Sequence, residues 1–310
     1  MMPTILVTGR DGQLGFELRR ALATLGKVHA IDRDNIDFCD LNAVRQHMRS
    51  LRPDIVVNAG AYTDVNRSES DREVANTING AVPGVLAEEL KSYGGKLIIH
   101  YSTDYVFNGT STRPYTEEDP TAPINAYGES KLAGELAVQR AGAPHIILRT
   151  EWLYATRGGN FLLTILRLAR AGKPLRIIAD QVGAPTWARM LAEATAHIVA
   201  FVMHTPAAQV TASSGIYHLT AAGQTSWHGF TEAILKESAH RLEQAGKPSE
   251  WCVNALRQLT PISASEYPTP ARRPAYSVLS NDKIQRAFGV GMPDWRDQLH
   301  LALEDYMFPE

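Results

Sequence analysis

The sequence has little cysteine and no excess of charge of either sign. Its 310 residues include 2 cysteines, Cys39 and Cys252, which have no local partner and so exclude a disulfide scaffold and a cysteine-based zinc site. Lys and Arg number 31 against 33 Asp and Glu, a net charge of −2. A nucleic-acid partner would need a basic surface, so we expect none.

Long apolar runs are also missing from the sequence. None reaches the roughly 18 residues of a membrane span, and no signal-like segment precedes Ile5. We therefore expect no membrane partner and a cytoplasmic location, which the few cysteines also favour. Hydrophobic residues make up 44% and charged residues 21%, which is typical of a globular chain long enough for one large core plus a smaller lobe.

The first half of the chain alternates between strand and helix patterns. The predicted strands are 3–8, 27–31, 54–58, 96–101 and 145–149, and the predicted helices are 13–25, 40–51, 71–92 and 127–141. Alternation of this kind predicts a doubly wound α/β fold with a parallel sheet and helices on both faces. Asp40 is a suitable N-cap for the second helix.

The pattern becomes less regular after Thr150. We expect helices near 160–171, 187–203, 226–243 and 295–306 and short strands near 175–178 and 216–219, and the pattern does not decide 246–260. Residues 1–150 are thus predicted to form a dinucleotide-binding domain. Residues 151–310 are predicted to form mainly a smaller α/β substrate-binding lobe, with at least one segment returning to the first sheet.

A glycine turn follows the first predicted strand. The apolar run 4–7 leads into Gly9, Gly12 and Gly15, and a helical pattern of leucines follows. A strand, glycine turn and helix in this order direct backbone N–H groups and a helix N-terminus at a pyrophosphate. Glycine permits the tight turn and the close approach of the phosphate. The alternative is an ordinary strand-to-helix turn.

Tyr127 and Lys131 are four residues apart, so both side chains share one face of a helix. An ammonium beside a phenol favours the phenolate, and we expect it to lower the phenol pKa. Such a phenol is a good acid for a carbonyl oxygen that is becoming an alkoxide. Taken alone, the pair could equally be an ordinary helix-surface pair, so the interpretation depends on its context.

That context includes a predicted buried strand that ends at Ser102 and Thr103. In open α/β sheets, ligands bind outside the carboxyl ends of the strands. A hydroxyl at either position is therefore well placed to bond a substrate oxygen, although it could instead cap the next turn.

Together these motifs resemble those of the extended short-chain dehydrogenases/reductases. Longer motifs resemble the dTDP-4-dehydrorhamnose reductases within that superfamily, from Ile5 to about Trp295. The matching segments are 9–15, 40–41, 58–61, 101–107, 127–131, 149–154, 180–186 and 268–274.

The resemblance implies reduction of a sugar C4 ketone by NADPH or NADH. It implies Thr103, Tyr127 and Lys131 as catalytic residues: Tyr127 as the general acid, Thr103 as an oxyanion donor, and Lys131 holding the nicotinamide ribose. After the second strand, Asp32 could bind ribose hydroxyls while Arg33 could hold a 2′-phosphate, so the cofactor preference stays open.

The implied cofactor residues surround the first loop, with the Arg10 or Asp11 peptides offering N–H groups to the pyrophosphate. The full set is Gly9, Arg10, Asp11, Gly12, Gln13, Leu14, Gly15, Asp32, Arg33, Asp40, Leu41, Ala59, Gly60, Ala61, Tyr127 and Lys131.

The implied substrate residues contact the sugar or the nucleotide diphosphate. They are Ser102, Thr103, Asp104, Tyr105, Trp152, Asn160, Gln181 and Arg272. Trp152 could instead be a core residue, and Arg272 a solvated charge, which is the usual state of a surface arginine.

Some positions depart from the family pattern. Glu151 stands where a Ser is common, and Asn66-Arg67 replaces a more usual Asp-Lys pair. Some relatives form dimers bridged by a divalent cation. Here the partners of Glu17 align with Arg189 and Arg296, so we expect ion pairs and no metal. We expect a monomer or a homodimer.

Three alternative functions stay open from the sequence. The first is another nucleotide-sugar enzyme of the superfamily, a reductase, an epimerase or a dehydratase. The second is a non-catalytic NADP-binding regulatory subunit of the same fold, which would not need Thr103, Tyr127 and Lys131 together. The third is a redox-sensing binding module, since fold does not dictate function.

Overall fold

Six parallel strands form the central sheet of the computed structural model, which describes residues 2–308. The strands of the chain are β1 Thr4–Thr8, β2 Lys27–Ile31, β3 Ile55–Asn58, β4 Leu97–Thr103, β5 His145–Thr150, β6 Leu153–Tyr154, β7 Leu175–Ile178, β8 Val182–Gly183, β9 Thr186–Trp187, β10 Gly215–His218, β11 Thr225–Ser226 and β12 Leu259–Ile262. The order in the central sheet is β10-β5-β4-β3-β1-β2, and the shorter strands pair outside it.

A helix lies at each predicted position. The helices are α1 Gln13–Ala21, α2 Leu41–Leu51, α3 Arg72–Ala75, α4 Val82–Ser92, α5 Ala126–Ala141, α6 Phe161–Arg170, α7 Ala188–Met203, α8 Ala207–Ala212, α9 Trp227–Gln244, α10 Glu250–Arg257, α11 Asp282–Phe288 and α12 Trp295–Glu304. However, α1 ends before residue 25, and α8, α10 and α11 were not predicted. The predicted helix 71–92 is interrupted by a π-helical segment, Asn76–Ala81. Helices in the described part of the chain all lack the length or the apolarity needed to cross a membrane.

Alternation along the buried strands divides the core between the two faces of the sheet. Ile5 and Val7 pack in one cluster with α1 and α7, whereas Leu6 packs in another with α2 and α4. β1 neighbours β2 on one side and β3 on the other, so the strand order reverses at this point. These features confirm the predicted doubly wound parallel sheet. They also place a ligand crevice at the carboxyl ends of β1 and β3.

The chain after Thr150 builds a second core and also returns to the first. Tyr154, Leu162 and Phe230 belong to a cluster of their own. In contrast, β10 pairs with β5, and α7 packs against α1 in the first core. The division of the chain into domains near residue 150 stays a prediction.

Helix α5 lies unusually close to the π segment and α4. A Cβ at Gly134 of α5 would lie 2.1 Å from the Asn79 oxygen, and one at Gly84 of α4 would lie 2.9 Å from the Ala137 Cβ. Both distances are too short for a real Cβ atom, so this seam needs glycine. The close approach fixes the position of α5 relative to the sheet.

Candidate active site

The glycine turn between β1 and α1 leaves no room for a Cβ atom. Gly9 has a φ of +74°, and a Cβ there would lie 2.8 Å from the Gly60 nitrogen and 2.9 Å from the Ala59 oxygen. A Cβ at Gly15 would lie 1.9 Å from the Gly9 oxygen. The turn is thus pressed against the loop that follows β3, and its bare backbone can be approached closely by a phosphate.

Two peptide groups of this turn are already used inside the protein. Arg10 N–H donates to the Ile31 oxygen at 3.1 Å, and Asp11 N–H donates to Asp32 Oδ2 at 2.9 Å. These two N–H groups are therefore bonded within the protein, and their contact with a pyrophosphate stays a prediction. The sequence could not show that the end of β2 accepts both hydrogens.

The first turn of α1 offers further backbone N–H groups that could bind a pyrophosphate. Its N-cap, Gly12, has no side chain to satisfy them. The N–H groups of Gln13 and Leu14 have no acceptor within the helix, as at any helix start. These N–H groups and the helix dipole both favour an anion at this end of α1.

An acid and an arginine, Asp32 and Arg33, follow β2, and Arg10 of the glycine turn lies near them. Asp32 accepts the N–H groups of Asp11 at 2.9 Å and Arg33 at 2.8 Å. The Arg10 guanidinium pairs with Asp11 and Asp34, both at 2.7 Å. Within residues 2–308, no group bonds the exposed Arg33 guanidinium. Arg33 is therefore the arginine that is free to hold a ribose 2′-phosphate.

A buried chain of hydrogen bonds ties the turn to the ends of β3 and β4. Gly60 N–H donates to Thr8 Oγ1 at 2.9 Å, and that hydroxyl donates to Asn58 Oδ1 at 2.6 Å. Asn58 Nδ2 bonds His100 Nδ1 at 3.0 Å. Burial and the charge of Lys131 hold the pKa of His100 well below its usual range, so the ring is neutral. Sequence reasoning missed Thr8 and His100, because no pattern shows which side chains meet across strands.

Asp40 begins α2 as predicted. Its carboxylate accepts the N–H groups of Asn42 at 2.9 Å and Ala43 at 3.1 Å, which confirms the N-cap. Leu41 and Ala61 are partly exposed. The adenine and ribose contacts of Asp40, Leu41 and Ala61 stay predictions.

Tyr127 lies in the first turn of α5, whose N-cap is held from two sides. Asn125 Oδ1 accepts the Gly128 N–H, and Asn125 Nδ2 donates to the Arg272 oxygen, both at 2.8 Å. The Tyr127 ring is partly exposed and meets the Tyr105 ring edge to face, with centroids 5.9 Å apart. Tyr127 is therefore at the N-terminal end of the helix, with only part of the residue exposed.

The charges around Tyr127 differ from the expectation. Burial, and next the charge of Asp104, raise the pKa of the Tyr127 phenol above its ordinary value. Lys131 Nζ donates to the Tyr101 oxygen at 2.6 Å. Burial lowers the pKa of Lys131 to about 8, against the raising effect of Glu135. The predicted lowering of the phenol pKa by Lys131 is thus wrong for this structure, because strand β4 holds the ammonium.

Thr103, the last residue of β4, and Asp104, the next residue, lie beside the Tyr127 phenol. Thr103 Oγ1 donates to Asp104 Oδ1 at 2.9 Å and accepts the Tyr105 N–H at 3.2 Å. The Thr103 hydroxyl is also close enough to the Tyr127 phenol to lower its pKa. The structure therefore brings Thr103, Asp104, Tyr105 and Tyr127 together.

Ser102 points to the other face of the sheet. Its hydroxyl donates to Glu135 Oε1 at 2.5 Å, and Glu135 forms an ion pair with Arg149 at 2.7 Å. The Arg149 and Glu135 side chains are only 2% and 1% exposed. The prediction that Ser102 contacts the substrate is wrong, because neighbouring side chains of a strand alternate between faces. The buried ion pair was not recognised from the sequence.

Trp152 lies at the opening of the C-terminal core in a strained backbone conformation. Its φ is +44°, and its ring stacks on Trp227 with centroids 3.5 Å apart. A Cβ at Gly183 would lie 2.5 Å from the Trp152 ring. Trp152 is partly exposed, so it is not a core residue. Its contact with the sugar stays a prediction.

The three residues predicted for the nucleotide diphosphate differ in availability. Asn160 caps α6, and its Nδ2 donates to the oxygens of Ala155 at 2.8 Å and Arg157 at 3.0 Å. Both amide hydrogens are used inside the protein, and the prediction that Asn160 contacts the nucleotide diphosphate stays a prediction. Among residues 2–308, no group bonds the side chains of Gln181, which is largely buried, or of Arg272, which is exposed. Both stay predictions.

Glu17 has the arginine partner that the sequence suggested. Arg189 Nε lies 3.4 Å from Glu17 Oε2, whereas Arg296 pairs with Asp294 at 3.5 Å instead. Across the described range 2–308, no three His, Cys, Asp or Glu residues cluster as metal ligands would.

Comparison with known proteins shows similarity over nearly the whole chain. Residues 2–308 match the family described as RmlD substrate binding domain. A dTDP-4-dehydrorhamnose reductase of Burkholderia thailandensis is 49% identical over 98% of this chain and 99% of its own. One of Escherichia coli K12 is 43% identical over 94% of each chain. The Bacillus anthracis dTDP-4-dehydrorhamnose reductase in complex with NADP has a TM-score of 0.85 and 29% identity, over 98% of this chain and 100% of its own.

Proposed function

Because the chain belongs to the dTDP-4-dehydrorhamnose reductase family, we propose that it reduces the C4 ketone of dTDP-4-dehydro-L-rhamnose to dTDP-L-rhamnose with NADPH or NADH. It is thus an NAD(P)H-dependent oxidoreductase of dTDP-rhamnose biosynthesis. The observation that carries the proposal is the meeting of Thr103 and Tyr127 at the carboxyl edge of the sheet. A proton donor and a second hydroxyl donor at that edge suit a ketone whose oxygen becomes negative.

The residues of the first loop fit a dinucleotide. The space at Gly9 and Gly15 admits no side chain, which suits a pyrophosphate against bare backbone. Gln13 and Leu14 present unbonded N–H groups to it, so we assign them this contact in place of Arg10 and Asp11. When bound, NADPH or NADH supplies the hydride that the ketone carbon receives.

The protein itself supplies the proton and the stabilisation of charge. As charge grows on the ketone oxygen, Tyr127 donates its proton to it. Thr103 donates a hydrogen bond to the same oxygen, and one such donor is worth about 3 kcal/mol in the barrier. Lys131 is placed by the Tyr101 oxygen at 2.6 Å, and we assign it to the nicotinamide ribose.

The substrate's sugar and nucleotide extend from this point toward the C-terminal part of the chain. Asp104, Tyr105 and Trp152 are assigned to the sugar, and Gln181 and Arg272 to the nucleotide diphosphate. The link between Asn125 and the Arg272 backbone joins the start of α5 to the segment that carries this arginine. A cytoplasmic location and a monomeric or homodimeric state remain predictions.

Replacing Arg33 by Ala is expected to raise the KM for NADPH by about ten- to a hundredfold, because a bond to a charged group contributes roughly 1.5–3 kcal/mol. The KM for NADH should change less than about twofold, since NADH has no 2′-phosphate. Steady-state kinetics with each cofactor measures both. Arg140→Ala, an exposed arginine at the far end of α5, is the control. An equal rise for both cofactors would contradict this role.

The proposed function is tested with a panel of nucleotide-linked 4-keto sugars. We expect NADPH oxidation, followed at the nicotinamide absorbance band, with dTDP-4-dehydro-L-rhamnose and formation of dTDP-L-rhamnose. Cofactor binding without oxidation of any panel member would favour a regulatory subunit or a sensor. A changed sugar configuration without net NADPH consumption would favour an epimerase. Oxidation with another 4-keto sugar alone would assign a different reductase activity.

A further inference from the structure

Two buried carboxyl groups, Asp104 and Glu151, lie beside each other past the ends of neighbouring strands. β4 and β5 are in register up to Thr103 opposite Thr150, so each acid is the next residue of its chain. Both residues are 2% exposed. The charge of Asp104 acts on Glu151, and the Ser277 hydroxyl acts on both carboxyls.

The bonds to this pair come from uncharged groups. Glu151 accepts the Ser277 hydroxyl at 3.0 Å and the Leu279 N–H at 3.3 Å. Asp104 accepts the Thr103 hydroxyl through Oδ1, whereas its buried Oδ2 has no hydrogen-bond partner in the described structure. Two adjacent carboxylates without a cation are strongly disfavoured in a buried site, and the usual outcome is that a proton is retained.

The titratable groups that surround the pair do not supply a compensating charge. Tyr105 and Tyr127 are affected by the Asp104 charge, and Tyr276 by that of Glu151. All three are neutral phenols at ordinary pH. The Arg273 cation acts on the Tyr105 phenol, and no ion pair joins it to Asp104 or Glu151 in residues 2–308.

The pKa values of both acids agree with this geometry. Burial raises the pKa of Asp104 to about 7. Burial, and then the charge of Asp104, raise the pKa of Glu151 well above its ordinary value. Because the two groups interact, the protons are lost in two steps that belong to the pair.

The protonation of the pair decides what Thr103 can do. Its hydroxyl has a single hydrogen, and beside an ionised Asp104 that hydrogen is donated to the carboxylate. A protonated Asp104 can instead donate to the Thr103 oxygen. The Thr103 hydrogen is then free for the oxygen of a ketone.

We propose that Glu151 is a positioning residue for the proposed reduction: together with Asp104 it retains one proton in a buried pair, and that proton frees the Thr103 hydroxyl to donate to the substrate ketone. The proposal rests on the proposed function for its substrate. Glu151 itself touches neither the ketone nor the cofactor in this role. It acts through Asp104 and then Thr103.

The first test is the pH profile of kcat/KM for the wild type and Glu151→Gln. With one acid removed, Asp104 loses its proton on its own, so the basic limb of the profile should move to lower pH. We expect the wild-type to variant ratio to be about 1 near pH 5.5 and about tenfold near pH 8.5, since ionisation changes tenfold per pH unit. A constant ratio across this range would indicate a merely structural role and overturn the proposal.

A Thr103→Val background tests whether Glu151 acts through Thr103. Without that hydroxyl, adding Glu151→Gln should leave the shape of the pH profile unchanged, although the overall rate is low. If the second substitution still moves the basic limb, Glu151 acts by another route and the proposal fails. Should Glu151→Gln not fold, Glu151→Ser removes the same carboxyl and serves in both comparisons.

A stability measurement without substrate separates this proposal from the proposed function. Groups whose folded pKa is raised contribute stability that is full below the unfolded value, near pH 4, and is lost as pH rises through the folded values. Thermal unfolding of the wild type should therefore weaken as the pH rises from about 4 through about 7, the folded pKa of Asp104, more steeply than that of Glu151→Gln. Equal slopes would overturn the retained proton while leaving the reductase proposal intact. If no ketone is reduced, the proposed function fails, and the slope comparison alone decides whether the pair holds its proton.

Discussion

Replacement of Tyr127 by Phe is expected to lower kcat by about 10²–10⁴-fold, because a positioned general acid contributes a factor of this size. The substitution removes the phenol hydroxyl that Thr103 affects and keeps the ring that packs against Tyr105 at 5.9 Å. The high pKa of this phenol makes it a donor that stays protonated across neutral pH. Single-turnover reduction with saturating NADPH would measure the chemical step directly.

Cofactor binding should survive this substitution. We expect the Kd for NADPH of the Tyr127→Phe variant to stay within about threefold of the wild type, since one hydroxyl is lost from a large contact surface. Tyr306→Phe, which removes a phenol from the C-terminal end of the chain, should have full activity and is the matched control. A variant that keeps wild-type kcat would remove Tyr127 from the mechanism and leave the proton donor unassigned.

Replacement of Arg149 by Met is expected to lower the free energy of unfolding by about 3–5 kcal/mol, because it leaves a buried carboxylate without its cation. Arg149 donates to both oxygens of Glu135, at 2.9 Å and 2.7 Å. That carboxylate also receives the Ser102 hydroxyl, so the pair joins α5 to β4 and β5. Urea unfolding followed by circular dichroism gives the free energy.

Two further variants check the origin of that loss. Lys236→Met breaks an exposed ion pair with Glu232 on α9 and should cost less than about 1 kcal/mol. The double replacement Arg149→Met with Glu135→Gln removes both charges, so it should recover part of the stability lost by the single change. A single variant as stable as Lys236→Met would show that the buried pair contributes little.

The parts of the fold that depend on local spacing could be predicted from the sequence. The glycines at 9, 12 and 15 indicated a strand, a turn and a helix, and the structure has β1 and α1 there. The donor assignment within this turn stays a prediction. It depends on Asp32, which reaches the turn from the neighbouring strand at 2.9 Å and takes the Asp11 hydrogen. Sequence spacing contains no information on such a contact.

The Tyr127 and Lys131 pair illustrates the same limit. Helical spacing correctly predicted that both residues lie on α5. It could not show that the Lys131 ammonium would reach the Tyr101 oxygen at 2.6 Å, or that Asp104 would stand beside the phenol. The pKa direction of a side chain depends on these cross-strand neighbours. That direction was therefore predicted wrongly although the helix was right.

Glu151 was recognised as unusual from the sequence, but its partner was not. Asp104 is far from it along the chain and becomes its neighbour only because β4 and β5 pair in register. Ser277 joins them from a third segment. Three distant segments meet in one polar cluster, and only the tertiary structure shows it.

Glycines that contact no ligand also matter for the function of this protein, because they let α5 pack closely against its neighbours. Gly84 and Gly134 lie along the seam that sets the height of α5, and the phenol is borne by the first turn of the same helix. A single methyl group added there would push Tyr127, the proposed proton donor, away from its target without altering any residue proposed to contact a ligand. A sequence comparison that considers only ligand-contacting residues would overlook a substitution at Gly84 or Gly134.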